Sequence, residues 1–323
     1  MKEEQNLSTR RCPGCDGSVV KEVAHQRRCR IWRCKECTLF FVSPVPDPAE
    51  LLSQYQKSSG YFITATTDLS RTSDRGARIL DKMLLKHLAK RGRFLDVGCA
   101  SGQLIFHLQQ LGWEVGGVEV NEGVSAIARF NNLPVHVGTL DTYNDRNKWD
   151  AIYLGDVVEH LPNPYETLIL ARKLLKERGL LVLRTPNSQS GYARVTFLLS
   201  RLFRLPWIYS EAPYHLCDWS VMSLTALTHR MGFTVQEFIL APARLPFFYS
   251  IGASGLCDDL KAKLKRKGRY ALSWGALRYI HDFLAAAVLV SFSWTIGTIF
   301  DVATRTSPYI TVIAAPREPS QCT

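Results

Sequence analysis

The sequence is short of acid. Its 323 residues carry 29 Asp and Glu against 40 Lys and Arg, a net charge of +11. That deficit favours anionic partners such as nucleic acid, phosphorylated small molecules or an acidic membrane surface. A basic but inert surface also fits, because charge alone selects no fold. An apolar stretch is missing at the N-terminus. The opening MKEEQNLSTRR is polar, so no secretory signal is read there. The nine cysteines are an odd number, and without a secretory signal they argue for metal binding in a reducing compartment over a disulfide framework. Internal repeats and low-complexity segments are lacking too, which excludes solenoids and arrays.

What is present begins with cysteine. Cys12-x-x-Cys15 and Cys34-x-x-Cys37 match the spacing of a zinc ribbon, in which two knuckles close a tetrahedron of thiolates. A closed four-cysteine site leaves no position for substrate, so a bound Zn2+ is expected to be structural. Pro13-Gly14 and Lys35-Glu36 form the expected turns, and Cys29 is left as a packing residue. Arg27, Arg28, Arg30 and Arg33 with Trp32 are either a nucleic-acid contact or a solvated basic hairpin. The run Ser43-Pro44-Val45-Pro46-Asp47-Pro48 reads as a stiff linker. A helix near Ala49 and the pair Tyr61-Phe62 lead into the main domain.

Between residues 75 and 185 helical and strand patterns alternate. Strands are expected at Arg93–Val97, Val115–Val120, Pro134–Val137, Trp149–Gly155 and Leu180–Arg184, with helices between them at Arg75–Ala89, Gly102–Leu111, Glu122–Asn131 and Tyr165–Lys176. Alternation of this kind implies a parallel sheet with helices on both faces, and ligands of such sheets bind beyond the carboxyl ends of the strands. Asp96-Val97-Gly98-Cys99-Ala100-Ser101-Gly102 sits at such an end. Its glycines allow a sharp turn and close approach of a ligand. The spacing is not the G-x-G-x-x-G that places a pyrophosphate on a helix N-terminus. The acid before the turn repels phosphate and suits a cationic or amino-bearing ligand. Glu119 ends the next strand, where a carboxylate accepts hydrogen bonds from ribose hydroxyls. A nucleoside with a positive, non-phosphate tail, S-adenosylmethionine (SAM), fits both acids.

The segments "FLDVGCASG", "GVEVN", "WDAIYLGDVVEHLPNP" and "LLKERGLLVLRTPN", followed by "YHLCDWSVMSLTALTHRMGF", resemble a class I SAM-dependent methyltransferase of the type 11/23 group over residues 75–240. The resemblance implies a doubly wound, mostly parallel seven-stranded Rossmann-like α/β sheet. It implies that Asp96, Gly98, Cys99 and Gly102 line the methionine end of the cofactor. Glu119 would then hold the ribose, with Val120 also among the cofactor-binding residues, Gly138, Thr139 and Leu140 would lie near the adenine, and Asp156 beside the cofactor and the transferred methyl. It also implies acceptors among sugars, polysaccharide intermediates and related metabolites. C-methylation is disfavoured, because the long C-terminal domain of sugar C-methyltransferases with a zinc front end is lacking.

Methyl transfer is an in-line displacement in which the cofactor supplies the electrophile and the protein aligns the acceptor. An oxygen or nitrogen acceptor also needs a base. His160, after the fourth strand of the alternating series, and His215, in the segment expected to cover the acceptor, are the two candidates.

Two regions exceed what the fold needs. "ARVTFLLSRLFRLPWIY", with Arg194, Arg201 and Arg204, reads as a basic amphipathic helix. Between expected strands Phe233–Leu240 and Tyr309–Ala315 lies an insertion with the basic run "KAKLKRKGR" and the apolar run 283–300. That run is flanked by Asp282 and Asp301, and the chain must return to the sheet, so an interfacial segment or a hairpin dipping into the membrane is expected over a single span. Burial in a dimer interface is the alternative. The expected organisation is a zinc-ribbon-like module at 1–48, a methyltransferase domain at 49–240 plus 305–317, and a helical, membrane-facing insertion at 241–304. The expected acceptor is a small molecule, glycan or lipid-linked metabolite, methylated on oxygen by a cytoplasmic enzyme peripheral to an anionic membrane surface. The rivals are an RNA methyltransferase gripping RNA with the ribbon, although nucleic acid has no recognisable module beyond it, and a non-catalytic SAM-binding scaffold.

Overall fold

The computed structural model describes residues 11–26, 29–57, 67–203, 207, 209–240, 293 and 295–317. The chain opens with three strands, β1 (Val20–Gln26), β2 (Cys29–Cys34) and β3 (Phe40–Val42), then helices α1 (Pro48–Lys57) and α2 (Arg75–Leu84). The alternating series follows as β4 (Arg93–Val97), α3 (Gln103–Gln110), β5 (Glu114–Glu119), α4 (Glu122–Phe130), β6 (Val135–Val137), β7 (Trp149–Gly155), α5 (Pro164–Leu174) and β8 (Leu175–Pro186). It ends with α6 (Gly191–Phe203), β9 (Cys217–Asp218), α7 (Val221–Arg230), β10 (Phe233–Leu240) and β11 (Tyr309–Pro316). The expected strands are present within a residue or two, except that β8 starts at Leu175 instead of Leu180.

Seven strands form one sheet in the order β10-β11-β8-β7-β4-β5-β6. Strands β4 to β8 run parallel, and β11 lies antiparallel to both β8 and β10. The order places a topological switch between β4 and β7, where open sheets of this kind bind ligands. Alternate residues of each strand serve opposite faces. Leu95, Ile152, Leu154, Leu181 and Leu183 pack one core, while Phe94, Ala151, Leu180 and Val182 pack the other. A strand buried on both faces reads as a continuous apolar run, which is why β4, β7 and β8 were legible. Helix starts are capped as their sequences suggest: Asn121 accepts from the Val124 amide at 3.0 Å, Pro164 sits in the first turn behind the Asn163 cap, and Ser220 and Ser223 close a capping box on α7.

The first three strands pair with a strand from much later in the chain. A second sheet has the order β1-β2-β3-β9, so β9, from the segment before α7, completes the Cys-rich hairpin. Trp32 is 4% exposed, and its indole donates to the Ser43 carbonyl at 3.1 Å. It is core and offers no face for base stacking, which corrects its reading as a nucleic-acid contact. Arg33 lies over the Phe40 ring at 5.1 Å. Arg27 and Arg28 lie outside the described residues, as do Tyr61, Phe62, Arg204, the basic run "KAKLKRKGR" and residues 283–292 of the apolar run.

The end of that apolar run is described. Residues 295–304 are helical and cross α6 at a pair of glycines: a Cβ on Gly191 would lie 2.1 Å from the Gly297 carbonyl oxygen. Asp301, expected as a poor membrane anchor, is 3% exposed and accepts the Gly191 amide at 2.7 Å. The acid therefore caps α6 at its N-terminus, where a negative charge is favoured. The buried residues of α6 are Gly191, Tyr192, Ala193, Thr196 and Ser200, while Leu198, Leu202 and Phe203 are exposed. The close helix approach is made at Gly191 and Gly297, where neither residue has a side chain to separate the backbones. Among the described residues, no helix is long and apolar enough to cross a membrane.

Candidate functional site

The predicted cofactor residues converge at the carboxyl ends of β4, β5, β6 and β7. Asp96 is placed by register in the middle of the sheet, opposite Gly117 on β5 and Tyr153 on β7. Loss of water, reinforced by the negative charge of Glu119, pushes its carboxyl up to about 8. Burial thus favours the neutral form of a group that the sequence alone would leave anionic. Glu119 is 6% exposed. One of its oxygens accepts the Ala100 amide at 2.9 Å and the other the Asn121 amide at 2.8 Å. The acid predicted to hold a ribose therefore also holds the glycine turn, and each carboxylate oxygen keeps further lone-pair capacity.

The turn has the backbone its glycines were expected to give. Gly98 and Gly102 have φ of +78° and +80°. A Cβ on Gly98 would lie 2.5 Å from Val157 Cγ2, and one on Gly117 would lie 2.5 Å from Cys99 Sγ. Ala100 and Asp156 also lie in the left-handed region, at φ +48° and +57°. For non-glycine residues that is a costly conformation which collects at functional sites. Cys99 is buried, and burial holds its thiol well above the usual range. Val120 is half-buried beside Asn121. Thr139 and Leu140 open a turn closed by the Thr142 amide on the Thr139 carbonyl at 3.1 Å. Asp156 turns toward β8 and pairs with Arg184, whose guanidinium lies over the Tyr309 ring at 4.3 Å.

The two candidate bases stand together. The His160 and His215 ring centroids are 4.8 Å apart, edge to face. His160 Nδ1 donates to the Tyr214 carbonyl at 2.9 Å and meets the Tyr55 hydroxyl at 3.0 Å. Desolvation and the neighbouring His215 charge push His160 down to about 3. His215 is 8% exposed. Desolvation disfavours its charged form, but Asp218, Glu159 and Glu211 outweigh this and hold it up to about 9. Its Nδ1 lies 3.8 Å from Asp218 and its Nε2 lies 3.9 Å from Glu211. Glu159, buried beside the two histidines, is pushed up to about 7 by desolvation and accepts from the Thr185 hydroxyl at 3.0 Å. The ligand atoms of Glu159, His160 and His215 all lie within 4.8 Å of one another. Such donors suit a cation as well as a proton. Thr185 on the acid and Tyr214 on His160 make a proton network the better reading.

Sequence reasoning missed Tyr55, Glu159, Asp218 and Arg184. Glu159 carried a signal, because it stands beside His160 within the "VVEHL" segment. Tyr55 carried none. It reaches the site from α1, where its backbone carbonyl accepts from Asn121 at 2.8 Å while its hydroxyl meets His160.

The four predicted metal ligands also meet. Cys12 Sγ and Cys37 Sγ are 3.5 Å apart, Cys15 Sγ and Cys34 Sγ are 3.6 Å apart, and all four lie within 4.8 Å of one another. Those separations far exceed a disulfide bond of about 2.05 Å and suit thiolates around one ion with metal–sulfur bonds of about 2.3 Å. The Gly17 and Cys37 amides point at Cys15 Sγ and Cys34 Sγ, at 3.4 and 3.5 Å. The hydrogen bond from Cys37 draws Cys12 down to about 6. The donor set fits zinc.

The family model described as Methyltransferase domain matches residues 64–237. Among curated proteins, a "Ubiquinone biosynthesis O-methyltransferase" of Glaesserella parasuis is 31% identical over 107 residues, covering 29% of this chain and 45% of that protein. The one of Pelagibacter ubique is 29% identical over 136 residues, covering 40% and 55%. The chain thus spans about half the length of the curated relatives it matches. A solved structure it is similar to is the magnesium protoporphyrin IX methyltransferase of Synechocystis with bound SAH, at 13% identity and a TM-score of 0.46, covering 62% of this chain and 95% of that one. The family match takes in more than half of the chain, and the chain belongs to the methyltransferase family.

Proposed function

We propose that this methyltransferase uses SAM to methylate a hydroxyl of a lipid-linked or glycan acceptor presented at a membrane surface. The observation that carries the reading is the pairing of two buried clusters across the switch point: Asp96 beside Glu119 at the glycine turn, and Glu159, His160 and His215 brought within 4.8 Å of one another beyond the end of β7. Asp96, Gly98, Cys99 and Gly102 line the methionine end, Glu119 takes the ribose with Val120 beside it in the cofactor site, Thr139 and Leu140 lie by the adenine, and Asp156 borders the reacting centre. SAM supplies the methyl group; the chain's own residues hold, orient and deprotonate the acceptor. His215 is the base, with Glu159 and Asp218 orienting it. His160, held neutral and far below its ordinary range, shapes the pocket under Tyr55. Oxygen is favoured as the accepting atom because the curated relatives are named as O-methyltransferases.

The reading divides the chain into a four-cysteine module at 1–48, a methyltransferase domain at 49–240 plus 305–317, and an insertion at 241–304. A structural zinc in the first part supplies folding free energy, on the order of 10 kcal/mol in model peptides. Metal analysis of the purified protein is expected to return one zinc per chain. A folded protein with no bound metal would remove the site.

The membrane part rests on the exposed Leu198, Leu202 and Phe203 of α6 and the exposed Ile299 and Val302 of the helix crossing it, together with the basic balance of the chain. Basic residues near anionic lipid contribute about 1 kcal/mol each, and an apolar helix face adds to this in proportion to the area it buries. The protein is expected to float with vesicles containing anionic lipid, and the pair Leu198→Glu and Leu202→Glu to cut the bound fraction several-fold. Unchanged flotation of the pair would exclude α6 as the contact.

The acceptor class is tested by incubating cell extract with the enzyme and methyl-labelled SAM, keeping lipid, polar and RNA fractions apart. Label in the lipid or glycan fraction supports the reading. Label confined to RNA supports the ribbon-based rival. No label from a protein that binds SAM would leave a non-catalytic scaffold.

A further inference from the structure

We propose that the four-cysteine module is the positioning element of the acceptor side, with the metal-bound hairpin fixing β3, β3 fixing β9, and β9 holding His215 against Glu159. The inference rests on reading the cysteines as a metal site and His215 as the base, and goes beyond both by joining them.

The seam is continuous and bonded. Phe40 pairs with Asp218 and Phe41 with Cys217 across β3 and β9, and the Val42 amide donates to the Leu216 carbonyl at 2.8 Å. Just beyond β9 the Thr38 hydroxyl meets the Ser220 hydroxyl at 2.9 Å, and the Trp219 ring closes on the first knuckle: a Cβ on Gly14 would lie 3.5 Å from it and 3.6 Å from Cys37 Sγ. On its other side the same segment is tied to the catalytic loop. The Leu216 and Cys217 amides both donate to the Glu159 carbonyl, at 2.7 and 3.1 Å. Residues 214–218 are thus clamped between a metal-dependent strand and the loop that carries Glu159 and His160. β9 is two residues long, too short to hold its shape alone, since an isolated pair of strands is marginal even at full length. A hairpin of this size does not build an adequate core by itself either, and metal binding there is folding free energy. The rigidity that fixes His215 therefore draws on the thiolate cluster through the β3–β9 seam, beside the bonds to the Glu159 carbonyl and the Ser188 amide on the Trp219 carbonyl at 2.7 Å.

The groups facing His215 follow from that placement. Asp218 belongs to β9, Glu211 to the turn before it, Glu159 and His160 to the loop after β7, and Asp156 to the end of β7. Only Asp218 and Glu211 travel with His215 if the seam opens, while Glu159 stays with the sheet. A module that has lost its metal releases β3, and His215 then leaves the acid across the clamp. The cofactor half of the site, on β4 to β6, shares none of these bonds.

The full-length chain, isotopically labelled at histidine, is titrated by NMR with zinc bound and after stripping by a chelator, with SAM affinity measured on both. The expected result is that the His215 ring titrates near 9 with zinc and about one pH unit or more closer to an ordinary histidine without it, while SAM affinity changes less than about two-fold. A His215 titration identical in the two forms would overturn the inference and leave the base assignment standing. Absence of metal in the purified protein would instead strike the metal reading itself. A second measurement uses the intact zinc-loaded protein and needs no stripped form. Hydrogen exchange at Val42, Leu216 and Cys217 is expected to proceed through one common opening, faster than at Leu95 or Leu181 in the central strands. Protection of Leu216 and Cys217 at the level of the central strands, with Val42 exchanging freely, would show that the module does not hold them.

Discussion

Below the pH of about 8 at which Asp96 ionises, SAM binding is expected to tighten by about ten-fold for each unit of rising pH, and binding near neutrality to release close to one proton. The cause is local. Burial removes the water that would stabilise the carboxylate, and the charge of Glu119 opposes a second negative charge nearby. A ligand that brings positive charge to the turn reverses the balance, so binding and ionisation are one coupled event. The sign also governs the protein alone. A carboxyl raised above its ordinary value binds a proton in the folded state that the unfolded chain has lost, so the unliganded protein loses stability as pH rises from about 4 through 8. Calorimetry in two buffers of different ionisation heat measures the released proton. Asp96→Asn, which mimics the protonated acid in shape, should abolish both the release and its share of the slope. Proton release persisting in that variant would mean that the titrating group lies elsewhere.

Much of this geometry was legible in sequence because it is local. A strand of large apolar residues, an acid and two glycines a fixed distance apart determine the β4–α3 turn almost alone, and Gly117 on the next strand leaves the space that Cys99 fills. The cysteine knuckles are local for the same reason. What escaped was built from contacts between distant segments. β9 is two residues whose partner, β3, lies about 175 positions earlier in the chain, and nothing in "HLCDW" announces a strand. Tyr55 stands over His160 because α1 folds back across the cleft. Asp301 looked like a misplaced charge beside an apolar run until its partner, the first amide of α6, was in view. The protonation states escaped as well. A sequence gives Asp96 and His215 their ordinary tendencies, and the fold reverses both, one by burial beside an acid and the other by three acids around an imidazole.

That reversal sets the second large effect. With His215 held at about 9, only on the order of one molecule in a hundred carries the neutral, proton-accepting ring near neutrality. At saturating SAM, kcat/KM for the acceptor is therefore expected to rise about ten-fold per pH unit and to level near pH 9. Replacing the ring by His215→Gln should lower the plateau by about 10²–10⁴-fold, the usual contribution of a positioned base, and should remove the break while SAM affinity stays within about two-fold. The same pairing contributes stability while the ring is charged: it is fully present below the ordinary histidine value and fades as pH rises through about 9. A base that works only when its own stabilising charge is gone costs some stability at the moment of use, and the clamp of β9 between β3 and Glu159 offsets that cost by keeping the neutral ring in place. His160 gives the contrasting outcome. Pushed down to about 3, it is neutral throughout the working range and would impose no break there. A flat profile from about pH 6 to 9, unaltered by His215→Gln, would therefore move the base from His215 to His160.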